Sequence, residues 1–225
     1  MGIILYLRKV MNTYTKSSTY LYTRNNFTKM KHIEKIQTLL PLGYLYLVIL
    51  GIIKETAFFY QLDINILKYS SIMDVLISPI ATMTSNPIIF LIITIILVSS
   101  FYLPTYLFKH DDKKWVQKIF ELKKTKKEVS EVEIKNYYLS VSIKFLAVFL
   151  LSVYLGYGVG EGFTTSKRIK NNKLKYDYKL NYSTGESEEV CILETNSLYY
   201  FYVEKGKLVV KIAPIGGVKN IEIKQ

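Results

Sequence analysis

Ile88-Ile-Phe-Leu-Ile-Ile-Thr-Ile-Ile-Leu-Val-Ser-Ser-Phe-Tyr-Leu-Pro-Thr-Tyr-Leu-Phe108 runs for 21 residues without a charge. Wound as a helix at 1.5 Å per residue it would be about 31 Å long, which matches the roughly 30 Å hydrocarbon core of a bilayer. Asn86-Pro87 opens the run, with proline at the first helical position, where its missing N–H costs nothing. Phe101, Tyr102, Tyr106 and Phe108 form an aromatic belt at the exit, and Pro104 predicts a kink in the last turn or two. This stretch sets the class: an α-helical membrane protein.

The rest of the chain is organised around that span. The hydrophobic fraction, 50 %, is ordinary for a globular chain, but it is gathered in blocks rather than spread with a period of 2 or 3.6. A first span is predicted at 38–54, short but sufficient, with Tyr44 and Tyr46 as anchors and Pro41 in its first turn. A third is predicted at 138–159. Lys144 lies inside it, close enough to the basic end to snorkel. Residues 57–83 are apolar but carry Asp63, Lys68 and Asp74, each costing about 2.5–3.5 kcal/mol at mid-bilayer, so they are not read as a span. Within them Ile72, Met73, Leu76, Ile77 and Ile80 recur at helical spacing, and Ser71 followed by Asp74 fits an N-terminal capping box. An amphipathic helix is expected at about 71–82, in the interface or packed on the spans.

Charge sets the orientation. The net charge is +12. Residues 1–37 carry seven Lys or Arg against one acid, and 109–138 carry nine Lys against six acids. Both segments flank spans, where a Lys/Arg excess marks the cytoplasmic side and meets anionic lipid, so the charge is assigned to the membrane rather than to nucleic acid. Three spans then place 109–137 in the cytoplasm, with a surface helix carrying Trp115, Ile119 and Leu122 on one face and capped by Asp111 or Asp112. The C-terminus lies outside. Lys167, Arg168, Lys170, Lys173 and Lys175 run against this rule, since they follow the third span on the outer side. Residues 1–29 lack pattern and are read as a tail or a misassigned start ahead of Met30.

After 164 the period changes to two. Leu174, Tyr176, Tyr178, Leu180 and Tyr182 alternate with polar residues, and strands follow at 190–193, 198–203, 208–212 and 218–223. Glu204-Lys-Gly-Lys207 and Gly216-Gly217 mark turns. About five strands make a small antiparallel domain, SH3-like in size, whose core is marginal alone. The transmembrane domain is therefore 30–163 and the β domain 164–225.

Chemistry is sparse. One cysteine, Cys191, and two histidines exclude a disulfide framework and a Cys/His metal site. Glu186, Glu188 and Glu189 are read as a solvated strand connection. No catalytic, metal or cofactor residue is assigned, and a non-enzymatic protein is expected. Ser140, Lys144, Ser152, Gly156 and Gly160 fall, with Val148, at steps of four on the third span, a ridge suited to helix packing in a homo-oligomer or to lining a pore. Gly158 and Gly162 are read as part of a flexible exit. Tyr199, Tyr200 and Tyr202 are candidates for a ligand or partner surface on the β domain. Catalysis would instead demand a pocket of convergent acids, Lys144 and tyrosine hydroxyls.

The abundance of Ile, Lys, Asn and Tyr suggests an AT-rich bacterial genome, hence a multi-pass protein of the inner membrane. In architecture alone, helices followed by a small β domain are similar to membrane effectors of bacterial anti-phage systems and to small mechanosensitive channels. The expected function is a β-domain sensing or binding module coupled to membrane helices, with the lipid bilayer, a homo-oligomer and a protein or small ligand as partners. The alternative is an oligomeric pore-forming or membrane-disrupting effector, or a small channel.

Overall fold

The computed structural model describes residues 37, 40–110, 113–120 and 130–224. The expected tail at 1–29, the caps Asp111 and Asp112, and Leu122 lie outside the described residues. Helix α1, Leu40–Tyr60, begins in a first unit, residues 1–46; the packing below is that of the second, residues 47–225. It is followed by a 3₁₀ turn at Ile66–Lys68, α2 (Ile72–Ser85), α3 (Pro87–Lys109), α4 (Lys114–Phe120), α5 (Glu131–Lys170) and five strands. Three of these helices, α1, α3 and α5, are long and apolar enough to cross a membrane.

Each helix starts where its sequence supplies the missing hydrogen-bond partners. Ser71 Oγ accepts from the Asp74 amide while the Asp74 carboxylate accepts from Ser71, the expected capping box. Asn86 accepts from the Ile88 and Ile89 amides and Pro87 follows at the first helical position. Ser130 and Glu133 form a second capping box, which starts α5 seven residues before the predicted span. At its other end α5 passes through Gly156, Gly158, Gly160 and Gly162 and stops only at Lys170, where Asn172 takes a left-handed φ of 50°.

That length corrects the expected flexible exit. At 40 residues α5 extends about 60 Å, twice a bilayer core. The glycines continue the helix because the space beside two of them is filled by backbone. A Cβ on Gly158 would lie 2.5 Å from the Lys54 carbonyl oxygen, and one on Gly162 would lie 2.5 Å from that of Phe58. Gly158 and Gly162 thus seat α5 directly on α1, and Gly51 seats α1 on α2 in the same way, against the Val75 carbonyl. Gly156 and Gly160 have nothing within 4 Å. Within the chain α5 meets α1 on its Gly158/Gly162 side, and the ridge expected to pack a homo-oligomer or line a pore lies half a turn away on an open face.

Val75, Pro79 and Thr82 of α2 are buried, whereas Ile72, Met73, Ile77 and Ile80 are exposed. Tyr154 on α5 donates to the Pro79 carbonyl at 2.8 Å. At the far end of the helices Leu107, Val116, Ile134 and Tyr138 form a cluster that ties α4 to α3 and α5, with Val116 rather than Trp115 buried.

The β domain is a five-stranded antiparallel sheet in the order β4-β3-β2-β1-β5. The strands are β1 (Tyr178–Tyr182), β2 (Ser187–Thr195), β3 (Tyr199–Glu204), β4 (Val210–Pro214) and β5 (Val218–Ile223). Because α5 extends to Lys170, the first strand begins at Tyr178 and not at Leu174. Gly206, at φ +81°, makes the β3–β4 turn, and Gly216-Gly217 lie in a 3₁₀ turn between β4 and β5. Glu188 and Glu189 are on β2 rather than in a connection, paired with Lys211 at 2.7 Å and Lys205 at 2.8 Å. Leu180, Val190, Tyr202 and Ala213 form the core of the sheet. A second cluster, Phe58, Phe59, Ile66 and Phe201, joins β3 to the end of α1.

Candidate functional site

A cavity of about 560 Å³ lies where the β domain meets the helices. Its lining comes from α1 with Lys54 and Glu55, α2 with Asp74, Ser78 and Thr82, Asn86 at the start of α3, α5 with Tyr157 and Glu161, β2 with its following turn, and Phe201 of β3. Phe59 and Phe201, 4.7 Å apart, close the apolar side.

Lys54 is the centre of the charged part. Its side chain is 5 % exposed. Its ammonium donates to Glu55 at 2.9 Å and faces Glu194 of β2 at 3.8 Å. Glu55 also accepts from Ser78 Oγ, so α1, α2 and β2 meet at one carboxylate–ammonium group. Burying such a pair costs several kcal/mol per ion unless the remaining valences are met, and Ser78 and Glu194 meet them here.

Glu194 reaches this position through a bulge. Val190 and Ile192 face the sheet core, so strict alternation would send residue 194 there too. The β2–β3 register shifts between Ile192, opposite Tyr202, and Glu194, opposite Phe201. The extra residue, Leu193, turns Glu194 to the face that Phe201 presents to α1. Burial lifts its carboxyl to about 7, with Glu55 and Glu161 pushing the same way and Lys54 opposing.

Asp74 holds the other side of the cavity. Its carboxylate accepts from the Ser71 amide and hydroxyl at 2.8 and 2.7 Å and from the Ser197 amide and hydroxyl, both at 2.9 Å. Partial burial raises its pKa, but these donors outweigh it and hold it below the usual value. Asp74, the reciprocal half of the α2 capping box, therefore also docks the β2–β3 turn. Asn196 adds a bond from its amide to the Tyr69 carbonyl at 3.1 Å.

The residues singled out from sequence fall elsewhere. Ser140, Lys144, Ser152, Gly156 and Gly160 are all exposed on α5, and the Ser152 hydroxyl donates to its own helix at Val148. The cavity gathers convergent acids and a tyrosine, but its lysine is Lys54. Tyr199, Tyr200 and Tyr202 do not share one open surface. Tyr199 is half-buried and stacks edge-on with Tyr69 at 5.5 Å, while Tyr200 packs on the sheet core. Tyr202 lies in that core, 3 % exposed, with its hydroxyl 2.6 Å from that of Tyr182.

Sequence reasoning misses the cavity because the expected first span ends at Lys54, whereas α1 continues to Tyr60. Its signal was present: Lys54-Glu55 is an adjacent opposite-charge pair followed by Ala57-Phe-Phe-Tyr60, so the helix continues past its charges. Among the described residues no group of three His, Cys, Asp or Glu could hold a metal ion. No family model, curated protein or solved structure matches the chain.

Proposed function

We propose that the chain is a non-enzymatic integral membrane protein of a bacterial inner membrane. In this reading its β domain and spans together form a ligand-binding module, and binding is relayed to the helices. The cavity carries it: one polar chamber is walled by α1, α2 and α5 and roofed by the β2–β3 turn. Its size lies in the range of about 300–1,000 Å³ used for small ligands. Lys54, which contacts Glu194 of the roof, belongs to the turn of α1 on which Gly158 of α5 rests. A change in the roof is thereby transmitted to the crossing of two spans.

The membrane assignment rests on the three span-length helices and on their outward apolar side chains, with Ile95, Val98, Phe101, Ile143 and Val148 all exposed. Lys109, α4 and the start of α5, the described parts of the basic segment, lie at the opposite end of these helices from the β domain, which favours a cytoplasmic loop and an external β domain. Alkaline phosphatase fused after Gln225 is expected to be active, and a fluorescent protein inserted near Thr125 to fluoresce. An inactive phosphatase on a well-expressed chain refutes the orientation.

Hydrogen exchange on the full chain in nanodiscs tests the relay. Ser197→Ala, which removes one bond to Asp74, should speed exchange in α1 around Gly51–Phe58 and in α5 around Gly158. Unchanged protection of both segments, with faster exchange confined to the roof, refutes transmission. A second reading, self-association through α5, is favoured by the open face at Gly156 and Gly160. Chemical crosslinking in membranes should give a homo-oligomer that Gly156→Leu with Gly160→Leu abolishes. A monomer in both refutes it.

A further inference from the structure

The cavity has more acid than it neutralises. Four carboxylates line it, Glu55, Asp74, Glu161 and Glu194, against one ammonium, Lys54. Asp74 is met by the four donors of Ser71 and Ser197, and Glu55 is met by Lys54 and Ser78. Glu194 shares Lys54 at the longer distance of 3.8 Å. Glu161 has no cation within ion-pair distance among the described residues, and the Tyr157 phenol lies beside it and Asn86.

Independent of the acids, Thr82 is only 8 % exposed, lines the cavity, and makes no side-chain hydrogen bond to any described residue. Its hydroxyl opens onto the cavity, where a guest can reach it. An excess of negative charge and an open hydroxyl point to the same kind of guest.

We propose that the cavity binds an organic ammonium ion, with Glu161 and Glu194 as its counter-charges and the Thr82 hydroxyl accepting an N–H. This rests on the cavity being the binding site and names its ligand class. A free amine and the ethanolamine headgroup of a lipid share this chemistry.

The test uses the full chain with Cys191→Ala and Ser85→Cys, which places a thiol on the cavity lining. In nanodiscs of phosphatidylglycerol, ethanolamine and putrescine should slow maleimide labelling of that thiol saturably, while acetate should not. In nanodiscs containing phosphatidylethanolamine the thiol should be protected without added amine if the lipid is the source, and labelled at the full rate if the source is soluble. Glu161→Gln should weaken protection at least tenfold, whereas Glu186→Gln, on the β1–β2 turn, should leave it unchanged. The inference falls if neither amine nor ethanolamine lipid protects, if acetate protects equally, or if Glu161→Gln binds as the parent does. Protection by a neutral alcohol but by no amine would refute the ammonium and keep the cavity as a binding site. Loss of the relay to α1 and α5 would instead refute the functional reading while leaving the ammonium site standing.

Discussion

Four glycines of one helix should respond to alanine in opposite ways. Gly158→Ala and Gly162→Ala each put a methyl 2.5 Å from a carbonyl oxygen of α1, and neighbouring atoms lie at 3.1 Å (Ala57 Cβ) and 3.0 Å (Gln61 Cγ and Phe58 Cα). Ordinary contact needs about 3.5 Å, so the two helices must separate by about 1 Å. The obstacle is backbone, which cannot rotate away, so the cost belongs near the top of the ~1–3 kcal/mol range for overpacking. Alanine returns about 1 kcal/mol of helix propensity at each position. The net loss is about 1–2 kcal/mol per site, and the double substitution should lower the Tm by roughly 5–15 °C. Gly156→Ala with Gly160→Ala meets nothing within 4 Å and should leave the monomer as stable or raise its Tm by a few degrees. Circular dichroism of the four single variants and the two doubles in one detergent measures this. Equal shifts for the two pairs, or a Gly158/Gly162 pair as stable as the parent, would refute the crossing of α5 on α1.

Removing the ammonium with Lys54→Met leaves Glu55 and Glu194 without their cation and should cost about 3–5 kcal/mol, read as lost folded yield or Tm; adding Glu55→Gln should recover part of it. Asp74→Ala keeps the Ser71 N-cap bond to the residue-74 amide but removes the carboxylate that accepts from Ser71 and Ser197, worth about 1 kcal/mol for each bond lost. Limited proteolysis should then cut the β2–β3 turn faster, and an unchanged cutting rate would count against that dock. The pH response follows from Glu194, whose carboxyl rises from 4.5 unfolded to about 7 folded. The folded state binds this proton more tightly, so the contribution is complete below 4.5 and is lost as pH climbs to about 7; the parent should melt lower at pH 8 than at pH 5. Glu194→Gln should flatten that slope, and an identical slope in the variant would refute the assignment. Glu189, held at about 2 by Lys205 and Lys224, works in the opposite direction and in a separate window, losing its contribution as pH falls from 4.5 towards 2.

What could be read from sequence was whatever a single element decides for itself. The uncharged run after Asn86-Pro87 became α3 within one residue of its expected ends, because a bilayer-length apolar block with a cap at its start has no rival structure. Ser71–Asp74 became a capping box, and Val218–Ile223 a strand, for the same local reason. What could not be read was set by pairs of elements. Whether Gly156/Gly160 or Gly158/Gly162 meets α1 depends on the rotation of one helix about its axis, and a ladder of alternating glycines offers both faces equally. Glu194 reaches the cavity only through a bulge at Leu193, which leaves no mark in a pattern of period two.

Lys54 shows the difference most clearly. A charge is expensive in hydrocarbon, so the economical reading of a lysine after apolar residues is that the span has ended. That reading assumes lipid on every side. In the folded chain the inner side of α1 carries Lys54 with Glu55, and the expense is offset by Ser78, 23 residues from Glu55, and by Glu194, about 140 residues from Lys54. A lysine followed at once by a glutamate and then by renewed apolar residues is better read as a helix with a polar interior. The place to look for function in such a chain is the level at which that pair sits, here the mouth of the helices beneath the β domain.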